Sequence, residues 1–133
     1  MSKELHIILV DDNDIDIVVN SKLLKLANFS QNISSFNSGR DVLDFLEDSE
    51  SQITDKQNIL LLDIQMPIMG GFECLDKIME LPAEVQESLM VFMLSSSIDR
   101  NDIERAEKNP AVLKVLEKPL DVYLLKRLVE ANA

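Results

Sequence analysis

Short apolar runs separated by longer stretches with helical periodicity make up this chain. Five runs have the length of buried strands and lie at residues 5–10, 33–36, 59–62, 89–94 and 112–117. The runs at 59–62 and 89–94 are apolar at every position, which is typical of parallel strands covered on both faces. The pattern therefore predicts five strands, two of them buried on both faces.

The stretches between the runs have the periodicity of amphipathic helices. They predict five helices: residues 14–27, a segment from 38 to the polar residues 48–57, and residues 71–80, 98–108 and 119–131. One stripe of the first helix is apolar and is predicted to face the core; it consists of Ile15, Val18, Val19, Leu23 and Leu26. Ser38 with Asp41 three residues later has the pattern of a helix-starting capping box. Residues 48–57 (DSESQITDKQ) are interpreted as a solvated loop.

Five strands alternating with five helices predict an α/β fold, because parallel strands need right-handed crossover connections. The expected architecture is a doubly wound, five-stranded parallel sheet of the (βα)5, flavodoxin-like kind, with strand order 2-1-3-4-5. The chain shows no repeat and no low-complexity tract. Its 133 residues suit one domain, so residues 1–133 are predicted to be a single unit without an output domain.

Charge and composition narrow the possible functions. Lys and Arg number 13 against 24 Asp and Glu, which gives a net charge of −11 and disfavours binding to nucleic acid. No apolar run approaches the ~20 residues that span a membrane, and no signal peptide is recognisable. One cysteine, Cys74, excludes an internal disulfide and fits a reducing compartment. A cytoplasmic location is expected.

Charged side chains stand where three of the predicted strands end. Asp11 and Asp12 follow the first strand, Asp63 follows the third and Lys118 follows the fifth. In open α/β sheets ligands bind outside the carboxyl ends of the strands, where the winding reverses; in this strand order that point lies between strands one and three. An aspartate after a strand is often only the N-cap of the next helix, but a cap needs one such residue, not two. The sequence therefore predicts a common pocket.

Crowded carboxylates repel one another unless a divalent cation lies between them, and Mg²⁺ prefers such oxygen ligands. Asp12 and Asp63 are the expected direct ligands, with Asp11 holding a bound water. A carboxylate in such a site can also attack phosphorus and form an acyl phosphate. Lys118 can then offset charge on the phosphoryl oxygens, and Ser95, at the end of strand four, can donate a hydroxyl. These residues predict a Mg²⁺-dependent phosphoryl-handling site.

Four segments together closely resemble the receiver domain of two-component response regulators. They are residues 10–13 (VDDN), 62–71 (LDIQMPIMGG), 94–96 (LSS) and 117–119 (EKP), in that order and each at a strand end. The resemblance covers essentially the whole chain. It implies a switch, not an enzyme in the usual sense, that accepts a phosphoryl group from a histidine kinase or histidine phosphotransfer protein. It then signals to a downstream protein target.

The resemblance also implies a role for each site residue. Asp63 would be the phosphoacceptor, and the backbone carbonyl of Gln65 would join Asp11, Asp12 and Asp63 around Mg²⁺. Ser95 would move toward the phosphoryl oxygens and Lys118 would pair with them. The Lys118–Pro119 bond would be cis, which only proline makes accessible at low cost.

Some positions set the phosphoryl lifetime or depart from the family pattern. Gln65 and Ser97 would flank the path of the attacking water, so bulky substitutions there are predicted to slow dephosphorylation. Many members carry an aromatic residue three positions before the lysine, where this chain has Val115, which is too small for an aromatic rotamer switch. Gly70 stands where the family usually has a polar residue, which removes a side-chain cap from the helix that follows.

Three other functions compete with the receiver interpretation. A Mg²⁺ phosphatase with an aspartyl nucleophile usually needs a second acid beside it, and Ile64 and Gln65 offer none. A flavin binder would need a phosphate loop after the first strand, where the acidic residues 11–14 would repel a phosphate without a metal. An unphosphorylated adaptor would retain only the fold, and the intact site argues against it. The phosphorylatable receiver is the favoured interpretation.

Overall fold

The computed structural model describes residues 5–96 and 99–132, which contain a five-stranded parallel sheet. The strands are β1 (Leu5–Val10), β2 (Ile33–Phe36), β3 (Gln57–Asp63), β4 (Leu89–Ser95) and β5 (Val112–Glu117). Their order is β2-β1-β3-β4-β5, and every neighbouring pair is parallel. The predicted α/β class and strand order are confirmed.

The described residues contain seven helical segments where the sequence predicted five, and the seventh follows the last strand. They are α1 (Asp14–Leu26), α2 (Gly39–Asp48), α3 (Glu50–Thr54), α4 (Gly71–Ile78), α5 (Ala83–Glu87), α6 (Arg100–Glu107) and α7 (Val122–Asn132). The last helix begins at Val122, three residues later than predicted. Residues 97 and 98, assigned to the predicted fourth helix or the turn before it, lie outside the described residues.

The interpretation of residues 48–57 as a solvated loop was wrong. The segment contains α3, and its last residue, Gln57, already begins β3. Ile53 anchors α3, since its side chain is 1% exposed in the core. Val85 anchors the other unpredicted helix, α5, in the same way.

The sheet separates two hydrophobic cores because successive side chains of a strand point to opposite faces. Ile8 and Val10 of β1 belong to one core, together with α2 and α4 side chains such as Val42 and Leu75. Ile7 and Leu9 belong to the other core, which packs against α1 and α7. Strands covered on both faces explain the unbroken apolar runs. No helix within the two described ranges is long and apolar enough to cross a membrane.

Helix α1 turns a different face to the sheet from the one predicted. Within the predicted inward stripe, Ile15 and Leu26 are 73% and 83% exposed, and Val18 and Val19 are also exposed, while Leu23 is half-buried. The buried residues of the helix are Asn20 and Leu24. Asn20 is buried because its Oδ1 accepts a hydrogen bond from the backbone N–H of Leu120 at 3.3 Å. A buried polar contact with the β5–α7 connection thus fixes the orientation of α1.

A buried polar network joins the amino-terminal ends of three strands. His6 Nδ1 lies 2.9 Å from Asn58 Oδ1, and His6 Nε2 lies 2.7 Å from Ser34 Oγ. Asn58 Nδ2 in turn donates to the carbonyl oxygen of Ile53 at 2.8 Å. Because this network lies at the opposite end of β1 from Asp11, His6 has a structural role, as expected.

Candidate functional site

Three carboxylates meet at the carboxyl-terminal edge of β1 and β3. One oxygen from each of Asp11, Asp12 and Asp63 lies within 4.8 Å of the others. Asp11 and Asp63 are buried, whereas Asp12 is exposed. The pairing of β1 with β3, with Val10 opposite Leu62, places the residues that follow each strand side by side. The predicted convergence of the three acids is confirmed.

The two carboxylate oxygens of Asp11 have different partners. Its Oδ1 accepts the backbone N–H of Asn13 at 2.9 Å, and Asn13 then caps α1 by accepting the N–H of Ile15 at 2.9 Å. Asp11 Oδ2 is fully buried and has no hydrogen bond of good geometry within the described residues. It lies 2.6 Å from Lys118 Nζ, so this contact is an ion pair without the alignment of a hydrogen bond.

Lys118 brings one positive charge into the cluster. Its Nζ lies 2.6 Å from Asp11 Oδ2 and 3.2 Å from Asp63 Oδ2. Lys118 follows β5 directly, and its backbone N–H donates to the carbonyl oxygen of Ser95 at 3.0 Å. The bond between Lys118 and Pro119 is cis, as predicted. The ends of β4 and β5 are therefore tied together beside the acids.

Burial and charge shift the pKa values of two groups in the site. Burial raises the pKa of Asp63, the nearby Lys118 ammonium opposes this and the Asp11 carboxylate adds to it, with a resulting pKa of about 7. For Lys118, burial alone would lower the pKa, but the carboxylates around the ammonium outweigh it and raise the pKa above its usual value. At neutral pH the Asp63 carboxyl is therefore only partly ionised, and the Lys118 ammonium beside it keeps its charge.

The loop after β3 packs closely against Asp63. The N–H of Gln65 donates to Asp63 Oδ1 at 3.3 Å, and the N–H of Gly71 donates to the carbonyl oxygen of Ile64 at 2.9 Å. Gly70 is the N-cap of α4 and makes no side-chain cap hydrogen bond, as its residue type predicts. Ile68 adopts a φ of 67° with a fully exposed side chain, an unusual backbone conformation for a β-branched residue.

The donor set fits Mg²⁺. Its side-chain groups are all carboxylates, and hard oxygen ligands suit Mg²⁺ or Ca²⁺ better than a transition metal. The buried Oδ2 of Asp11, which lacks a well-aligned partner, can accept from a metal-bound water. Asp12 adds an exposed carboxylate through which an ion can enter from solvent.

Comparison with known proteins identifies the family. The profile of the response regulator receiver domain matches residues 7–130. The chain belongs to this family. The receiver is 34% identical over 134 residues to the two-component response regulator ARR17 of Arabidopsis thaliana, an alignment that covers 96% of this chain and 84% of that protein.

Solved receiver structures agree with this assignment. A response regulator receiver protein from Dyadobacter fermentans DSM 18053 superposes with a TM-score of 0.87 at 36% identity, covering 96% of both chains. A two-component response regulator from Cytophaga hutchinsonii has the same TM-score at 27% identity, covering 97% of this chain and 96% of its own. The receiver interpretation is therefore favoured over the phosphatase and the flavin binder, because the receiver profile matches residues 7–130.

Most of the predicted site residues of this receiver lie at one edge of the sheet. Ser95 is buried at the end of β4, and its carbonyl oxygen is bound to the Lys118 N–H. Gln65 contacts Asp63 through its backbone while the residue itself is exposed. Ser97 lies outside the described residues. Val115 is half-buried in β5 and packs against one of the cores.

Two residues near the site were missed by sequence reasoning. Asp16 contacts Lys118, with its Oδ2 3.2 Å from Nζ, and Asn20 supports the Leu120 backbone two residues further on. They are four residues apart on α1 and share one face with Leu24. That spacing was a usable signal, but a search for apolar stripes does not count polar residues as inward-facing.

Proposed function

We propose that Asp63 is the phosphoacceptor of this receiver and that the phosphoryl donor is a phosphohistidine of a histidine kinase or histidine phosphotransfer protein. The observation that carries the proposal is the position of Asp63 between the lysine and the acidic cluster: its Oδ2 lies 3.2 Å from Lys118 Nζ, within reach of Asp11 and Asp12. Asp11 is less suited, because its side chain is fully buried with Oδ2 2.6 Å from Lys118 Nζ, whereas the side chain of Asp63 is 4% exposed.

In the proposed reaction an oxygen of Asp63 attacks phosphorus. The new O–P bond makes an acyl phosphate while the P–N bond to the donor imidazole breaks and its electron pair remains on nitrogen. Lys118 pairs with the phosphoryl oxygens, and the Ser95 hydroxyl donates to one of them. Water later attacks phosphorus, which restores the carboxylate and releases inorganic phosphate.

Mg²⁺ would be held by Asp12, Asp63 and the backbone carbonyl of Gln65, with Asp11 acting through a bound water. When bound, the ion offsets negative charge on the phosphoryl oxygens. The three carboxylates within 4.8 Å support this ligand set. This part of the proposal predicts that phosphorylation depends on a divalent cation.

Intact-protein mass after incubation with acetyl phosphate tests the phosphoacceptor. Wild type with Mg²⁺ is expected to gain one phosphoryl group, and neither wild type without Mg²⁺ nor Asp63→Asn should gain it, because asparagine lacks the nucleophilic carboxylate. A gain that persists in Asp63→Asn would show that another residue is the nucleophile. No gain in wild type, repeated with a phosphohistidine donor, would favour an unphosphorylated adaptor.

Gln65 is expected to influence how long the phosphoryl group persists. Its side chain is exposed two residues after Asp63, so a bulkier residue there would obstruct the attacking water. Gln65→Tyr should slow loss of the phosphoryl group roughly threefold or more, about 0.7 kcal/mol in the barrier, whereas Gln65→Ala should not slow it. The decay is measured by intact mass after removal of acetyl phosphate. Equal decay rates in Gln65→Tyr and wild type would contradict this role.

We further propose that the receiver signals through protein contacts in the cytoplasm. Its net charge of −11 disfavours a DNA target, and Cys74 is a free thiol. Ile15, which is 73% exposed in the first turn of α1, supplies an apolar contact beside the acidic edge on which a phosphodonor protein can dock. Since Val115 is not aromatic, activation cannot depend on the movement of an aromatic side chain at this position.

A further inference from the structure

Lys118 contacts a third carboxylate that does not belong to the acidic cluster at the ends of β1 and β3. Its Nζ lies 3.2 Å from Asp16 Oδ2 and makes a hydrogen bond there, besides its contacts with Asp11 and Asp63. Asp16 comes from α1, a different element from either of these partners. The ammonium is therefore held from three directions.

The first turn of α1 fixes where Asp16 stands. Asn13 caps this turn, and its Oδ1 accepts the N–H groups of Ile15 and Asp16 at 2.9 and 3.3 Å. The side chain of Asp16 is 35% exposed, while that of Lys118 is only 10% exposed. Asp14 lies in the same turn with the same charge, but it is exposed and makes no ion pair with Lys118. Contact with Lys118 thus distinguishes two otherwise similar aspartates.

Three carboxylates match the three N–H donors of an ammonium group. In the resting receiver Lys118 Nζ lies within 3.2 Å of a carboxylate oxygen of each of Asp11, Asp16 and Asp63. Once Asp63 carries a phosphoryl group, the phosphoryl oxygens compete for the same ammonium. Asp16 opposes them in two ways. It continues to accept a hydrogen bond from one N–H of Lys118, and its own negative charge repels the new anion.

We propose that Asp16 is a positioning residue of the phosphoacceptor site. It holds Lys118 toward α1 and lowers the affinity of the site for a phosphoryl group. The inference rests on the proposed function, since it presupposes that Lys118 receives the phosphoryl oxygens at Asp63. Its consequence is that Asp16 keeps the phosphorylated fraction lower than the other site residues alone would allow. Removing the Asp16 charge therefore strengthens phosphoryl binding.

Calorimetric titration with beryllofluoride, an anion that mimics a phosphoryl group on aspartate, tests this at saturating Mg²⁺. Asp16→Asn should bind about two- to fivefold more tightly than wild type, the range expected for a partly exposed ion pair. Asp14→Asn is the matched control, because it removes the same charge from the same turn without touching Lys118; it should change the affinity less than twofold. Damage to the fold would weaken binding, so a gain in affinity cannot come from it.

Asp16→Glu, which keeps the charge on a longer side chain, is expected to bind closer to wild type than Asp16→Asn does. Equal affinities in Asp16→Asn and Asp14→Asn, or weaker binding in Asp16→Asn, would overturn the role of Asp16 while leaving Asp63 as the acceptor. No binding in wild type, or undiminished binding in Asp63→Asn, would instead overturn the proposed function and this inference with it.

Discussion

Gly71→Ala is expected to lower the free energy of unfolding by about 3 kcal/mol or more. A Cβ at this position would overlap the carbonyl oxygen of Asp63 and lie 2.8 Å from Ile64 Cα, both of them backbone atoms that no side-chain rotation can move away. The strand end must shift to make room. The loss should therefore include both stability and the placement of Asp63.

The neighbouring glycine supplies the control for this substitution. A Cβ on Gly70 would come no closer than 3.7 Å to Ile64 O, and the backbone there has a φ of −72°, which alanine adopts readily. Gly70→Ala should cost less than about 1 kcal/mol, the usual effect at an N-cap. Denaturant unfolding and phosphorylation by acetyl phosphate measure both consequences. Equal stabilities of the two variants would show that the loop after β3 relaxes without difficulty.

Asp63→Asn is expected to stabilise the metal-free receiver at pH 8 by about 2 to 4 kcal/mol. The pKa of Asp63 is about 7 in the folded protein against 3.8 for an unperturbed carboxyl. The folded protein therefore retains a proton that the unfolded chain releases between these values. The stability that this bound proton contributes is fully present below pH 3.8. It is lost as the pH rises through about 7, where the buried carboxyl ionises.

The gain from Asp63→Asn should accordingly shrink as the pH falls from 8 toward 4. Thermal or denaturant unfolding across this range, in the absence of divalent cations, measures it. Asp76→Asn, which alters an exposed aspartate on α4, serves as the control and should show no comparable trend. A pH-independent difference between Asp63→Asn and wild type would mean that lost packing or hydrogen bonding, not ionisation, determines the change.

The positions of the site residues could be predicted because they depend on few facts. Each lies directly after an apolar run, and the end of a buried strand is well marked where apolar residues give way to Asp11, Asp63 or Lys118. Parallel pairing then brings the strand ends together whatever the details of the helices. The sheet and the acidic cluster follow from these two rules.

The orientation of α1 could not be predicted from the apolar pattern. The stripe that includes Ile15 and Leu26 is apolar but exposed, whereas the face that the helix buries contains the polar residue Asn20. Burial of Asn20 is offset by a hydrogen bond to Leu120, a hundred residues away along the chain. A partner at that distance is invisible to a local pattern.

The short helices α3 and α5 escaped prediction for a different reason. Each has five residues, too few for the helical period to repeat, and each places one apolar side chain in the core. Such segments are helical because tertiary packing supports them, since isolated helices of this length are not stable. The helix Gly71–Ile78 was predictable because a longer amphipathic pattern marks it.

The polar network at the start of β1 affects the alignment of the acidic cluster at the other end of the strand. β1 and β3 are apolar on both faces, so the strands would still bury hydrophobic side chains if one slid along the other. Hydrophobicity alone therefore discriminates weakly between registers. His6 pairs with Asn58, and a slip would part these buried polar groups at a substantial energetic penalty. Because the strands are rigid between their ends, the same constraint sets the relative height of Asp11 and Asp63. The buried His6–Asn58 pair thus fixes the β1–β3 register and, through it, the spacing of Asp11 and Asp63.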